Sequence, residues 1–475
     1  MSTLRRLANE PVPESPVLSP DALRTLVLQL LGYTAADTMS VEVKHTAIGA
    51  IRVSRNRVRV NNSGDSLSIS LSTQFGMRAS AKMDINQLDA STLRDAVRYL
   101  DQLAREQQGD PAPVDMPIPP RTYLPNTSWK ESTVTAFSTT RHTIVPSLVE
   151  PFIGANLTSA AFAGVYLQSC AYADKQGLLA VGEETDSEVT VTGWSPDGKG
   201  AGWAGQAERE WTRIKPDHIA ERALELTHLS ANPVAFEPGR HTVILDRPAV
   251  GQIVCGMGYA FDAFRAIEGG SPLSDHVTRS TKIGRKVMDE RITFTSHPND
   301  PDGGYLPFDH HAFPFIPMTW IEQGVAKNLA WDTYFAAAKG VTPAVHWPQS
   351  LRLSRSSSGD GATTTVDEMI AQCERGIYVN RLAYVGVVDE PSGMMTGITS
   401  GGCFLIKKGK IEKAIKNLRF TDSPWFFLNR LMAIGTSERS AFGYAPWYGK
   451  WPLPPTIVPP LMVAEFNFTA LADAV

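Results

Sequence analysis

The sequence predicts an α+β protein: an N-terminal α/β half with short antiparallel sheets, then a β-rich C-terminal domain with an embedded helix. Two observations predict it. Before residue 233, apolar residues at helical spacing alternate with short segments in which apolar and polar residues take turns. Beyond Pro233, extended runs separated by glycine turns dominate, and one apolar helical stretch sits among them.

Residues 1–18 are polar and proline-rich and read as a loose lead-in. Ser19-Pro20 opens the first helix, with serine as N-cap and proline at the first helical position. Leu23, Leu26, Val27, Leu30 and Leu31 repeat at helical spacing, and Gly32 ends the run. Short strands follow over 50–54, 57–60 and 67–72, with Asn61-Asn62-Ser63-Gly64 as a turn between the last two. A second helix carries Leu93, Ala96, Val97, Leu100 and Leu103 on one face. Pro111, Pro113, Pro117, Pro119, Pro120 and Pro125 mark 109–127 as a linker, because proline removes a donor and holds the chain extended. Residues 155–212 are strand-like, with a turn at Pro196-Asp197-Gly198-Lys199-Gly200, and Pro216-Asp217 starts a helix over 216–229. In the second half, 241–245, 383–388 and 404–406 read as strands and 249–267 as the embedded helix. The expected domains are therefore 19–232 and 233–475, with the linker inside the first.

The composition excludes several classes. The chain has 475 residues, 45 basic against 49 acidic side chains, and 43% hydrophobic residues. That is an ordinary globular balance. No basic stripe points to nucleic acid. No apolar run reaches the roughly 18 residues that a membrane span requires, and Met1 to Arg6 lack the apolar stretch of a signal peptide. Cys170, Cys255, Cys373 and Cys403 lie far apart and form no disulfide framework or CxxC pair, so a reducing cytoplasm is the expected compartment.

Several segments stand in a definite order. Glu237-Pro238-Gly239 precedes a strand. Glu268-Gly269-Gly270-Ser271 follows the embedded helix, and Lys282-Ile283-Gly284-Arg285-Lys286-Val287 comes next. Trp320-Ile321-Glu322-Gln323-Gly324-Val325 is a strand and turn. Val366-Asp367-Glu368-Met369-Ile370 leads to Arg375-Gly376-Ile377-Tyr378-Val379, and 402–411 reads strand-turn-strand. Together they resemble the TldD/PmbA family, of the zinc-peptidase type, most closely over 237–285 and 357–411. The resemblance implies a peptidase scaffold that assembles as a dimer. It also implies a His-Glu-x-x-x-His helix and a later cysteine holding zinc, with the glutamate as general base. Zinc of this kind needs imidazole or thiolate donors at ~2.0–2.3 Å and one open position for water.

At that helix this sequence reads Tyr259-Ala260-Phe261-Asp262-Ala263-Phe264-Arg265. Aligned on Glu268-Gly269, the two histidines fall at Ala260 and Arg265, the glutamate falls at Phe261, and the cysteine falls near Ala445-Pro446. Alanine and phenylalanine have no donor atom, and arginine is a permanent cation. No metal ligand is carried over and no cofactor is expected. The chain is therefore similar to the zinc-free PmbA (TldE) side of the family, whose members pair with a TldD-type subunit.

Other residues are candidates for chemistry. Asp309, His310 and His311, with His297 and Asp300 upstream, offer a base and a carboxylate to orient it. Adjacent histidines on a strand would point to opposite faces. Cys255, on the embedded helix, is a candidate nucleophile, against the ordinary role of a packed cysteine. Arg265 could bind a substrate carboxylate, against the alternative of a surface ion pair. Tyr444, Trp447 and Tyr448 belong to an aromatic loop suited to a pocket wall or a subunit interface. Three readings follow. The first is the zinc-free subunit of a dimeric peptidase acting on a peptide or amide-containing small molecule, with a second copy or a TldD-type chain as partner. The second is a stand-alone metal-independent hydrolase, and the third is a non-catalytic binding or scaffold protein.

Overall fold

The computed structural model describes residues 15–76, 81–107, 119–342, 347–356, 364–443 and 454–472, without the side chains of 138 and 139. Helix α1 (Pro20–Leu31) is capped by Ser19, whose hydroxyl accepts the N–H of Ala22 at 3.3 Å. Strands β1 (Thr38–Ser54), β2 (Arg57–Gln74) and β3 (Ala81–Ile85) follow, and then α2 (Ala90–Glu106) is capped by Asp89. Short helices α3 (Glu131–Thr135) and α4 (Val145–Gly154) lead into β4 (Thr158–Asp174), β5 (Leu179–Trp194) and β6 (Ala201–Glu208), and α5 (Pro216–Leu229) closes this half.

The six strands form one antiparallel sheet in the order β3-β2-β1-β4-β5-β6. Its two faces follow from the period of two. Val41, Val43, Val165, Leu167, Val189 and Val191 are buried under the helices. The alternate residues Glu42, Lys44, Gln168, Glu184 and Asp186 look the other way. The turn expected at residues 61–64 is not there. These residues continue β2, paired to β1 from Ile51↔Asn61 to Ile48↔Gly64. The chain reverses instead at Arg55-Asn56, both at positive φ, where the Asn56 side chain bonds to Leu157 and Ser159 of the neighbouring strand region. A long partner strand satisfies the backbone of a polar, turn-like sequence and overrides its local preference. The expected strand segments are thus parts of two long strands. Residues 109–118 of the linker lie outside the described residues.

The second half begins with β7 (Gly239–Leu245) and α6 (Arg247–Met257). The helix expected over 249–267 is broken. After α6 comes a 3-10 turn, Gly258–Phe261, and then α7 (Ala263–Ile267), restarted by the Asp262 carboxylate on the N–H of Arg265. A small pair, β8 (Ser274–Asp275) and β9 (Ser280–Thr281), precedes β10 (Ile292–Ser296), β11 (Met318–Glu322), β12 (Val325–Ala326), α8 (Thr333–Lys339), β13 (Leu351–Arg355) and α9 (Val366–Gln372). The long hairpin β14 (Arg375–Asp389) and β15 (Met394–Lys407) is followed by β16 (Lys410–Ala414), β17 (Leu418–Asp422), α10 (Pro424–Phe427), β18 (Leu431–Ile434), β19 (Glu438–Arg439), β20 (Thr456–Val458) and β21 (Leu461–Leu471).

These strands build a six-stranded sheet, β12-β11-β10-β13-β20-β19, and a seven-stranded one containing β14-β7-β21-β17-β15-β16 with β18 on β21. A single core joins Val254, Phe261, Phe294, Trp320, Phe420 and Phe466, so α6 is embedded as expected. The two halves meet where Trp203 of β6 lies against Gly401 of β15. Gly401 has φ +62, and a Cβ there would stand 2.5 Å from the Trp203 Cβ. The Asn380 amide donates to the carbonyls of both Trp203 and Gly401 at 2.8 Å and fixes this approach.

Candidate functional site

The polar face of the N-terminal sheet forms one wall of a cleft of about 670 Å³. Glu42, Lys44, Thr46 and Ile48 come from β1, Tyr166, Gln168, Cys170 and Tyr172 from β4, and Glu184 and Asp186 from β5. Arg209 follows β6. The opposite wall is the loop after β10, with Tyr305, Leu306, Phe308, Asp309, His310 and Phe315. Gln349, Pro454 and Pro455 complete the rim.

The sheet wall is a chain of hydrogen bonds. The Tyr166 hydroxyl donates to the Gln168 carbonyl oxygen at 2.5 Å, and the Gln168 amide donates to Glu184 at 3.3 Å. Arg209 Nη1 donates to the Thr185 carbonyl at 2.7 Å and lies 3.5 and 3.6 Å from Glu184 and Asp186. Asp186 is also held by Arg439 of β19. Burial raises the Glu184 carboxyl, and Arg209 only partly opposes that. Burial also raises Glu42. Lys44 and Lys82 oppose the shift, and the charge of Asp309 on the far wall adds to it. The Cys170 thiol is raised by burial as well, so it is held as the neutral thiol.

Farther along β5, Glu188 accepts the backbone N–H groups of Phe442 (3.1 Å) and Gly443. Its burial pushes the carboxyl up to about 7 against those two bonds. Arg381 donates to the Phe442 carbonyl at 2.9 Å and lies 4.7 Å over the Trp203 ring. Glu184, Asp186 and Glu188 are thus one face of one strand: Glu184 stays within the N-terminal half through Gln168 and Arg209, while Asp186 and Glu188 reach Arg439 and the backbone of Phe442 and Gly443 in the second half.

The structure brings only some of the expected site residues together. Asp309 and His310 line the cleft. They sit in a turn, not on a strand. The Asp309 carboxylate accepts the N–H groups of His311 and Phe313 at 2.9 Å, and Ala312 takes φ +60. The expectation of opposed histidines therefore fails, because a tight turn lays the two rings 4.0 Å apart at 43°. Upstream, His297 accepts the N–H of Asn299, and Asp300 is clasped by Arg352 at 2.6 and 2.7 Å. Cys255 is elsewhere. Its sulfur is bonded to Thr456, and burial pushes the thiol up to about 11. Arg265 is paired with Glu390, 5.9 Å over the Tyr259 ring, and the Tyr259 hydroxyl donates to the Glu390 carbonyl at 2.9 Å. This is the surface ion pair, not an open carboxylate receptor. Tyr444, Trp447 and Tyr448 lie outside the described residues.

The positions that the resemblance assigns to zinc do not fit a metal. Ala260 and Phe261 are fully buried, and the Phe261 ring packs 5.3 Å from Trp320 and 6.3 Å from Phe294 and Trp425. Arg265 brings a cation already engaged by Glu390. Residues 445–446 are not among those described, and among the described residues no group of three His, Cys, Asp or Glu side chains is placed to hold an ion.

Sequence reasoning missed most of the cleft. The signal was present at 184–188, where Glu184, Asp186 and Glu188 recur at a period of two along one strand. Glu42 and Lys44 repeat the pattern on β1.

Comparison with known proteins places this architecture. The family described as "PmbA/TldA metallopeptidase C-terminal domain" matches residues 238–470. A relative from Archaeoglobus fulgidus described as a metalloprotease is 24% identical over 251 residues, which is 50% of this chain and 57% of that protein. The matched part thus spans little more than half of that relative. A solved structure from Bacteroides thetaiotaomicron, described as a candidate modulator of DNA gyrase, has a TM-score of 0.77 at 17% identity, covering 94% of this chain and 98% of that one. TldE from Thermococcus kodakarensis has a TM-score of 0.76 at 16% identity, covering 94% and 99%. At these identities the structural likeness is one of fold.

Proposed function

The chain belongs to the TldD/PmbA family, and from that premise we propose that it acts in peptide- or amide-bond hydrolysis as the zinc-free subunit of a dimeric peptidase. One observation carries this reading: the helix positions of the metal ligands are occupied by a buried methyl group, a buried phenyl ring and a paired guanidinium. A chain that keeps the scaffold without donor atoms can supply groove and contacts while a TldD-type partner supplies the metal-bound water.

The cleft chemistry supports a peptide-like guest. A peptide unit has both a donor and an acceptor, and each must find a partner when it is desolvated. Lys44 and Arg209 offer donors, Glu42 and Asp309 offer acceptors, and Tyr305, Phe308 and Phe315 form an apolar wall. The test is co-expression with a chain carrying an intact His-Glu-x-x-x-His, followed by native mass, metal content and amide cleavage. The expected result is a mixed dimer with one zinc, inactive when the partner's glutamate becomes glutamine. A stoichiometric zinc on the isolated chain refutes the reading.

Glu42 favours a second reading, a stand-alone hydrolase that uses no metal. Its raised carboxyl can hold a proton for a leaving group, and His310, on the opposite wall, is the base. Under this reading the isolated chain cleaves amides in the presence of a chelator, and Glu42→Gln and His310→Ala each abolish the activity. An isolated chain that is inactive while the mixed dimer cleaves eliminates it. If neither cleaves, the scaffold reading remains.

A further inference from the structure

A second recess, of about 410 Å³, opens where α5 and α6 begin and β19 passes. Asp186 borders the first cleft and Arg439 borders this one, so their ion pair stands between the two. Four carboxylates line the recess, and each is already engaged. Glu208 accepts from Gln206 at 3.0 Å and lies 3.4 Å from Arg213. Asp302 lies 2.8 Å from Arg352. Asp246 accepts from the Tyr378 hydroxyl at 2.5 Å and from the N–H of Arg247 at 2.7 Å, and Glu438 is paired with Arg247.

Donors remain after this accounting. Helix α5 spans 14 residues, and its N-cap, Lys215, makes no side-chain capping bond. Pro216 has no N–H and the Lys215 N–H goes to Gln206 at 2.9 Å, so the amides of Asp217 and His218 are the open ones at the positive end of the helix. Asp217 in that turn is exposed. Lys215 and His218 line the recess beside this helix end. The independent observation is Arg439. Its side chain is only 6% exposed, its Nη2 serves Asp186, and its Nε and Nη1 are buried with no hydrogen-bond partner. A buried guanidinium with two unmet nitrogens is a deficit that a charged acceptor reduces.

We propose that this recess is a binding site for an oxyanion, the carboxylate or phosphate group of a small ligand, received by Arg439, Lys215 and the uncapped start of α5. The site is separate from the candidate hydrolytic cleft and does not depend on hydrolysis. The anion takes the open amides of α5 as anions do at helix starts, and the guanidinium offers it the Nη1 donors that Asp186 does not use.

The experiment is calorimetric titration of the full chain with inorganic phosphate, with N-acetylglycine, and with the neutral N-acetylglycinamide. At least one of the two anions binds saturably and the amide does not. Phosphate alone identifies a phosphorylated ligand, and N-acetylglycine alone identifies a carboxylate such as a peptide end. Lys215→Ala, an exposed change, weakens the anion about tenfold, as expected for one charge-assisted contact. Arg439→Lys keeps a cation beside Asp186 but removes the second donor nitrogen that the anion would use, and it weakens binding by at least about tenfold with an unchanged far-ultraviolet spectrum. Two results overturn the proposal: no saturable binding of either anion, or equal binding by the unaltered chain and the Lys215→Ala variant.

Discussion

Asp186 on β5 and Arg439 on β19 stand 253 positions apart in the chain, yet Arg439 Nη2 lies 2.8 and 2.6 Å from the two oxygens of the Asp186 carboxylate. Both side chains are buried, and they join the N-terminal sheet to the sheet that carries β20. Removing one partner leaves an uncompensated charge inside the junction. Asp186→Ala should therefore cost about 3–5 kcal/mol in urea unfolding. The joint change of Asp186→Leu with Arg439→Met should recover most of that loss. A single change that costs under about 1 kcal/mol would show that the pair is solvated in solution.

Glu188 should make stability depend on pH near neutrality. Its carboxyl lies at about 7 when folded, against 4.5 for an ordinary glutamate, with burial as the cause. The folded state then holds more protons than the unfolded state between those values. The stabilising effect is full below pH ~4.5 and is lost as pH rises through ~7. Across that window the loss amounts to roughly 3 kcal/mol. Glu188→Gln removes the titration, so the stability difference between variant and parent should shift in the variant's favour as pH rises from 5 to 8 (~3 units). Urea midpoints at intervals through that range give the comparison.

Cys255 should be a slow thiol. With its proton held up to about 11, the thiolate fraction at neutral pH is small. Alkylation by iodoacetamide at pH ~7.5 should proceed at least about tenfold slower than for an unperturbed thiol near 8.5. Cys255→Ser should leave any amide cleavage unchanged. Fast labelling confined to Cys255 in a peptide map would restore it as a nucleophile.

Arg265 and Glu390 form a pair in which both side chains are more than a third exposed. A double-mutant cycle with Arg265→Ala and Glu390→Ala should give a coupling of about 0.2–1 kcal/mol, weakening with salt. A much larger coupling would mean that the pair is buried by a partner chain in solution.

Phe261→Glu tests the core reading of the metal helix. It replaces a fully buried ring packed against Trp320, Phe294 and Trp425 with a carboxyl group that has nothing to pair with. The loss should exceed about 4 kcal/mol, from the vacated volume and from burying a polar group. Thermal melting monitored by near-ultraviolet circular dichroism would report it, and a mildly affected variant would place Phe261 next to solvent.

Helices α1, α2 and α5 were legible because the start signals of α1 and α5 and the apolar spacing of α1 and α2 agree with their tertiary role. Ser19 and Pro216 act where they were expected, and Leu23, Val27, Leu93 and Val97 are buried. Asn61 to Gly64 misled because turn-forming residues were captured by a long antiparallel ladder, while the real reversal uses Arg55-Asn56. Of the candidate cleft, only part of one wall was legible. Asp309 and His310 stood out as a cluster, but the wall facing them is assembled from β1, β4 and β5, which are far apart in sequence and meet only through strand pairing. The Glu390 partner of Arg265, 125 positions away, had no local signal at all.

The break between α6 and α7 sets the terms on which a metal could be grafted here. Donor atoms introduced at 260 and 261 would arrive among rings and methyl groups, and either one would weaken the core before an ion could hold it, whereas 265 already faces solvent. Building such a centre requires the surrounding rings to be replaced together with the ligands.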